Sequence, residues 1–290
     1  VGAASGGRSV LRRAALPGSR RCVLTSPSVP QQPCSSAPDP DLSQPHQPGE
    51  ARDPSGEPDP WEAHAAWWQE QFTDGVDPEY TEQILPLIAA NLPAGSERST
   101  GLLVDIGCGE GQVARVAAAA GLDVLGIDPA MSQVEVARER GGGPRYEQGS
   151  ATDLPVGDGA ADAAIACLVF EHIAEVDAAL VEVARVLRPG GRFLFLLNHP
   201  LLQTPGSGWI DDQVLDPPEQ YWRIGPYLHE AETVEEVEKG VFIRFYHRPL
   251  SRYLNAARDA GLVLERMEEP APPPGFLAQA EEYADAASVP

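Results

Sequence analysis

The chain has 290 residues, 42% of them hydrophobic, enough to bury the core of one large α/β domain, alone or with a tail. Acidic residues outnumber basic ones 43 to 21, for a formal charge of −22, a field that repels a phosphate backbone and argues against nucleic acid as a partner. With no run of about 18 apolar residues to span a membrane and four scattered cysteines, Cys22, Cys34, Cys108 and Cys167, that form neither a zinc framework nor a disulfide scaffold, the composition points to a soluble protein of a reducing, cytoplasmic compartment.

Residues 1–58 are crowded with Pro, Ser, Gln and Gly and show no apolar periodicity, so they are expected to be a disordered tail. The basic residues before the first acid, Asp39, are all arginines, which resembles a transit peptide in composition, but the prolines break any amphipathic helix and the chain opens at Val1, so an extension outside the domain is the better reading. The ordered domain is expected over 59–290. It opens with a helix that Asp59 can cap, with Pro60 in its first position and Glu62 supporting the cap. Trp61, His64 or Ala65, Trp68 and Phe72 recur on one helical face, which is either core or a cover over a ligand.

From position 101 short apolar strands alternate with helices, the pattern of a doubly wound, mostly parallel sheet covered on both faces. Leu102–Ile106, Asp123–Asp128, Arg145–Gln148, Asp162–Val169, Arg192–Asn198 and Leu262–Glu268 read as strands, and Gly121, Gly141 and Gly261 end the helices between them. After the sixth strand come the prolines of 270–274 and a helical stretch from Gly275 to about Ala287, with no apolar run for a further strand. The sheet is therefore expected to lack its final antiparallel strand, and the chain to be a fragment less stable than a version extended by about one strand's length.

Val104-Asp105-Ile106-Gly107-Cys108-Gly109-Glu110-Gly111 runs a strand into a glycine-rich turn that opens a helix, where unpaired N–H groups meet a ligand that the glycines allow to approach closely. A dinucleotide fingerprint needs glycine where this chain has Gln112. Asp128 closes the second strand, placed to accept the hydroxyls of a ribose. Asp153 and Leu154, in the turn after the third strand, could take an exocyclic amine and cover an aromatic ring. Arg185-Val186-Leu187-Arg188-Pro189-Gly190-Gly191-Arg192 then turns into the fifth strand.

With these four motifs in order, the chain resembles the class I S-adenosylmethionine-dependent methyltransferases over about residues 61–270, particularly the small-molecule branch of the ubiquinone and menaquinone enzymes. The resemblance implies a Rossmann-like sheet and S-adenosylmethionine as methyl donor. It implies that Gly107, Gly109 and Gly111 line the methionine and ribose portions, that Asp105 positions the amino-acid end, that Asp128 takes the ribose, and that Asp153 and Leu154 meet the adenine. A main-chain carbonyl near Cys167 or Leu168 would receive the ammonium group.

A sulfonium is already an activated methyl carrier, so such a site has mainly to align a small-molecule acceptor and exclude water, a general base being optional. His172, after the fourth strand, and His199, after the fifth, are the candidate bases, each with a structural alternative. The segment at about 200–248, rich in aromatic residues and carrying Arg244 and Arg248 with Arg252 just beyond, is where an acceptor pocket or lid would be built. Asp216-Pro217-Pro218-Glu219 is similar to a base-methylating motif but stands far from the fourth strand, where that motif belongs. A nicotinamide-dependent oxidoreductase and a non-catalytic S-adenosylmethionine-binding protein are the competing readings. Oligomeric state cannot be read from the sequence.

Overall fold

The computed structural model describes residues 10–13, 60–93, 101–214, 216, 217 and 219–279. In chain order the strands are β1 (Val10–Arg13), β2 (Leu102–Ile106), β3 (Asp123–Asp128), β4 (Arg145–Gln148), β5 (Ala161–Cys167), β6 (Leu187–Leu196), β7 (Gly208–Asp212), β8 (Glu219–Arg223), β9 (Ala231–Glu238), β10 (Val241–His247) and β11 (Leu262–Arg266). The helices are α1 (Pro60–Phe72), α2 (Leu85–Asn91), α3 (Gln112–Ala119), α4 (Met131–Arg140), α5 (Val176–Val186), α6 (Leu250–Asp259) and α7 (Pro274–Leu277). A π-helical turn, Tyr80–Ile84, leads into α2, and a 3-10 turn, Phe170–His172, follows β5.

The main sheet runs β11-β1-β6-β5-β2-β3-β4. Five adjacent strands, from β6 to the edge strand β4, are mutually parallel. Parallel strands covered on both faces cannot alternate polar with apolar residues. Accordingly six of the seven residues of β5, Ala161-Asp162-Ala163-Ala164-Ile165-Ala166-Cys167, are buried. In β2 the pleat sends Val104 and Ile106 into a core with Leu180, Val183 and Tyr253 of α5 and α6, and Leu103 into a second core with Ile88, Ala114 and Val134 of α2, α3 and α4. The strand order reverses at β2, with β3 on one side and β5 on the other, and ligands of such sheets sit at the carboxyl ends of strands beside that reversal.

The sequence-derived bounds of β2, β3 and β4 agree with the structure. The fourth core strand stops at Cys167 instead of Val169, because Leu168 adopts a left-handed conformation (φ 56°). The strand β6 begins five residues earlier than Arg192. Ala161 pairs with Leu187 and Ala163 with Arg192, so the Arg-Pro-Gly-Gly turn bulges out of a continuing ladder.

The expected gap in the sheet is a correction. The antiparallel position between β6 and β11 is filled by β1, from within the stretch read as a disordered tail. Strand pairing draws on backbone N–H and C=O groups, which a four-residue segment supplies without the apolar alternation by which strands are read from sequence. The remainder of 1–58, Asp59 with its proposed cap, and the helical stretch beyond residue 279 lie outside the described residues. The segment after β6 forms two hairpins, β7–β8 and β9–β10. The second packs on α1 and on the 3-10 turn, and so becomes part of the site.

Candidate active site

The carboxyl ends of β2, β3 and β5 open into a cavity of about 770 Å³. Its inner half is built by the glycine-rich loop. Gly107, Gly109 and Gly111 have φ of 68°, 52° and 87°. A Cβ at Gly107 would lie 2.5 Å from a Val169 methyl, and one at Gly111 2.3 Å from the Tyr146 hydroxyl, so any side chain there would both strain the backbone and collide. The loop is pinned from β3: the Gly107 and Cys108 amides donate to the Ile127 carbonyl at 2.8 and 3.0 Å, and the Gly109 amide donates to Asp128 Oδ2 at 2.8 Å. Asp128 Oδ1 accepts from the Ala130 amide at 2.9 Å. Asp128 therefore shapes the loop as well as facing the cavity.

Asp105, at the cavity floor, is 1% exposed and its Oδ2 has no hydrogen-bond partner. Burial, and then the neighbouring charge of Asp128, push its carboxyl up to about 8. A buried carboxylate with an orphaned oxygen is costly unless a cation or donor reaches it. Glu110, also 1% exposed, is held by Arg115 at 2.7 Å and Arg140 at 2.9 Å, which ties the loop to α3 and α4. Leu168 and Cys167 form the opposite wall.

Two residues assigned to the adenine are placed elsewhere. Leu154 is 3% exposed and packs in the core with Val156 and Val183, its amide donating to Glu182, and Asp153 is exposed beside it. Neither lines the cavity, whose wall here is Gly149, Ser150, Ala151 and Thr152. The bridge between Ser150 and Asp153 folds this turn so that its first half faces inward.

The candidate bases are also separated. His199 is outside the cavity with both ring nitrogens engaged: Nδ1 accepts from the Leu201 amide at 3.2 Å, and Nε2 donates to Glu269 at 2.9 Å. It fixes the turn after β6. His172 lines the cavity. Its Nδ1 lies 2.8 Å from the main-chain carbonyl of Arg244 and must carry the proton, since a carbonyl only accepts. Nε2 is thereby left as a lone-pair acceptor, with no hydrogen-bond partner among the described residues. Burial lowers the imidazole to about 4, so the ring is neutral at physiological pH.

The 3-10 turn that presents His172 is clamped from behind. Arg248, 5% exposed, donates to the carbonyls of Phe170 (3.3 Å), Ile173 (2.8 Å) and Ala174 (2.6 Å) and lies over the rings of Tyr246 and Tyr253. The sequence marked Arg248 only as a cation near aromatic residues, and nothing local to it signals partners more than 70 residues away. Of the aromatic residues of the insertion, Tyr246 lines the cavity and Phe245 packs on the His172 ring at 4.7 Å, whereas Phe242, Tyr221 and Trp222 are exposed. The face of α1 read as either core or cover does both: Trp68 and Phe72 pack against the second core, and the same face borders the cavity. Trp61 and Trp68 line the cavity, Trp61 meets His172 edge-on at 4.8 Å, and a Cβ at Gly109 would lie 3.8 Å from Trp68 Nε1. Tyr80 and Gln133 also line it without having been marked by any motif.

Residues 104–195 match the model of the Methyltransferase domain family. The malonyl-[acyl-carrier protein] O-methyltransferase of Serratia marcescens is 36% identical over 119 residues, 41% of this chain and 47% of that one, so the chain spans about half of that relative's length. The 27-O-demethylrifamycin SV methyltransferase of Amycolatopsis mediterranei is 30% identical over 213 residues, covering 71% of this chain and 68% of that protein. The chain belongs to the S-adenosylmethionine-dependent methyltransferases. A crystal structure of an S-adenosylmethionine-dependent methyltransferase from Mesorhizobium loti shares the fold of this chain, with a TM-score of 0.59 and 29% identity over 71% of this chain and 92% of that one. Family membership removes the ground for the nicotinamide alternative, in line with Gln112 in place of the third fingerprint glycine.

The cavity's own features fit the family's methyl donor. The orphaned Asp105 Oδ2 leaves a buried oxygen that a ligand's ammonium group could reach, and the glycine cradle holds the loop backbone at the cavity in left-handed conformations that side chains would strain. Asp128 and the Ser150–Thr152 wall offer acceptors and donors for a nucleoside.

Proposed function

We propose that this methyltransferase transfers a methyl group from S-adenosylmethionine to an oxygen of a small-molecule acceptor, with His172 taking the acceptor's proton. The bound donor supplies the electrophilic methyl carbon and a neutral thioether leaving group. Asp105, Gly107, Gly109, Gly111, Asp128 and Leu168 hold it, and Ser150 to Thr152 replace Asp153 and Leu154 at the adenine end. With the donor bound, Nε2 of His172 would take the hydroxyl proton of the acceptor whose oxygen receives the methyl group.

The single observation that carries this reading is the tautomer of His172. With Nδ1 committed to the Arg244 carbonyl, Nε2 is an acceptor on the cavity wall. A base held down to about 4 takes a proton only as the oxygen loses electron density to the new bond, which suits concerted transfer. Two of the relatives carry oxygen methylation in their names, one as an O-methyltransferase and one acting on a 27-O-demethyl compound. Cys108 and Cys167, free and buried, suit a reducing, cytoplasmic location, and no described helix is long and apolar enough to cross a membrane.

The test is transfer of a labelled methyl group to a library of phenols, alcohols, carboxylates and amines, with the site of the new carbon–oxygen bond read by NMR. Donor binding without transfer to any acceptor would identify a non-catalytic S-adenosylmethionine-binding protein. Transfer to carbon or nitrogen alone would remove the proposed oxygen chemistry.

A further inference from the structure

Beyond the donor half, the cavity continues between α1 and the β9–β10 hairpin, where Trp61, His172, Ile173, Glu232, Arg244 and Tyr246 form the wall. We infer that this outer compartment binds an uncharged aromatic ring bearing a hydroxyl group. The inference rests on the reading of His172 as proton acceptor and names the class of molecule that reading leaves open.

Charge accounting disfavours an anion. Arg244 is the one Lys or Arg side chain among the described lining residues, and its Nη1 is paired with Glu232 Oε1 at 2.8 Å. An incoming carboxylate or phosphate would meet a guanidinium whose charge Glu232 already offsets, with that carboxylate's like charge beside it. The same accounting disfavours a cation. Of the other lining acids, Glu110 is neutralised by Arg115 and Arg140, Asp128 accepts two amides, Asp105 lies at the donor end, and Glu175 is exposed at the rim. Apart from the exposed Glu175, the charged side chains that line the outer compartment, Glu232 and Arg244, are thus paired with each other.

Its shape chemistry is aromatic. Trp61 stands edge-on to both His172 and Trp68, at 4.8 and 5.5 Å, and Tyr246 is held by the guanidinium of Arg248, 5.2 Å from its ring centroid. Fixed ring edges and faces recognise a flat π-system better than an aliphatic chain of equal area. The hydroxyl follows from Nε2 of His172, which offers a lone pair to an O–H group.

The test is a binding measurement on the full chain with S-adenosylhomocysteine present, so that it does not depend on turnover. The probes are 2-naphthol, 2-naphthoate, cyclohexylmethanol and benzylamine, followed by calorimetry. The naphthol should bind at least about tenfold more tightly than the naphthoate, because the anion arrives without a counter-charge, and more tightly than the other two. Trp61→Ala should weaken naphthol binding about five- to tenfold, the loss of an aromatic contact, and Trp61→Phe should restore most of it. Binding of S-adenosylhomocysteine to both variants checks that they fold and tests the donor reading separately. If S-adenosylhomocysteine binds but the naphthoate, the alcohol or the amine equals or exceeds the naphthol, or Trp61→Ala leaves naphthol affinity unchanged, the inference is overturned while the donor reading stands. If S-adenosylhomocysteine itself fails to bind the unaltered chain, the donor reading falls instead.

Discussion

Asp128 at the end of β3 accepts, through Oδ2, the main-chain amide of Gly109 at 2.8 Å, so the carboxylate proposed to bind the donor also fixes the shape of the loop that cradles it. Asp128→Ala should weaken S-adenosylmethionine binding by about 1–3 kcal/mol and also lower the melting temperature, since the Gly109 and Ala130 amides lose their acceptor. Asp128→Asn keeps one accepting oxygen and should fall between the two. Calorimetry together with thermal melts separates the effects, and unchanged affinity in the alanine variant would remove Asp128 from the donor site.

His172→Ala should depress turnover about 10²–10⁴-fold with little effect on donor affinity. Because burial holds the imidazole at about 4, the wild-type rate should be insensitive to His172 from pH 8 down to about 5 and fall as the ring protonates near 4. An inflection near 6.5 that disappears in His172→Ala would mean a solvated ring. His199, with both nitrogens committed outside the cavity, should give normal turnover and reduced thermal stability when replaced by alanine.

Arg248 is predicted to be a positioning residue. Arg248→Met leaves the carbonyls of Ile173 and Ala174 without their guanidinium donor and should cost about 2–4 kcal/mol of stability. Arg248→Lys keeps the charge but not the fork, and should lower kcat more than it raises the donor Kd, because the turn carrying His172 loosens while the glycine loop does not. Equal losses in kcat and donor affinity would place Arg248 in general packing.

Gly107→Ala places a Cβ 2.5 Å from Val169 at a φ of 68° and should cost about 1–3 kcal/mol while abolishing measurable donor binding. Combining it with Val169→Ala relieves the collision but not the dihedral strain, so only partial recovery of stability is expected in denaturant melts.

The buried carboxyls give the chain a stability profile with a definite sign. Asp105 is raised to about 8 and Glu171 to about 7, both by burial first, so the folded state keeps protons that the unfolded chain releases above about 4. Their contribution is full below that pH and is lost as pH rises through 7 and 8. His172, lowered to about 4, acts oppositely, stability falling as pH drops from 6.5 to 4. Between pH 6.5 and 8 the contribution of His172 no longer changes while that of the two carboxyls still falls, so urea midpoints should decline across that window and the decline should shrink in Asp105→Asn.

Much of this was legible in the sequence because strands β2, β3 and β4 are bounded by residues with strong local meaning, the glycine loop and Asp128 above all. Trp61 and Trp68 were found by helical spacing, which fixes direction along with position. That Asp153 and Leu154 do not line the cavity could not be read, because a turn has no period from which to tell which side chain faces inward. His172 and His199 could not be told apart, since each follows a strand end and the atoms that distinguish them, the Arg244 carbonyl and Glu269, lie some 70 residues onward. The strand β1 escaped notice because its contribution to the sheet is made by the backbone.

Arg244 contributes two different parts to the site: its carbonyl orients the imidazole of His172, and its side chain lines the cavity in the space proposed for the acceptor. A carbonyl survives any substitution. On the proposed reading the residue type at 244 can therefore change which acceptor is taken without changing the tautomer of His172, so a saturation library at this one position should yield altered selectivity from variants that remain active, the separation of chemistry from choice that a redesign of acceptor range requires.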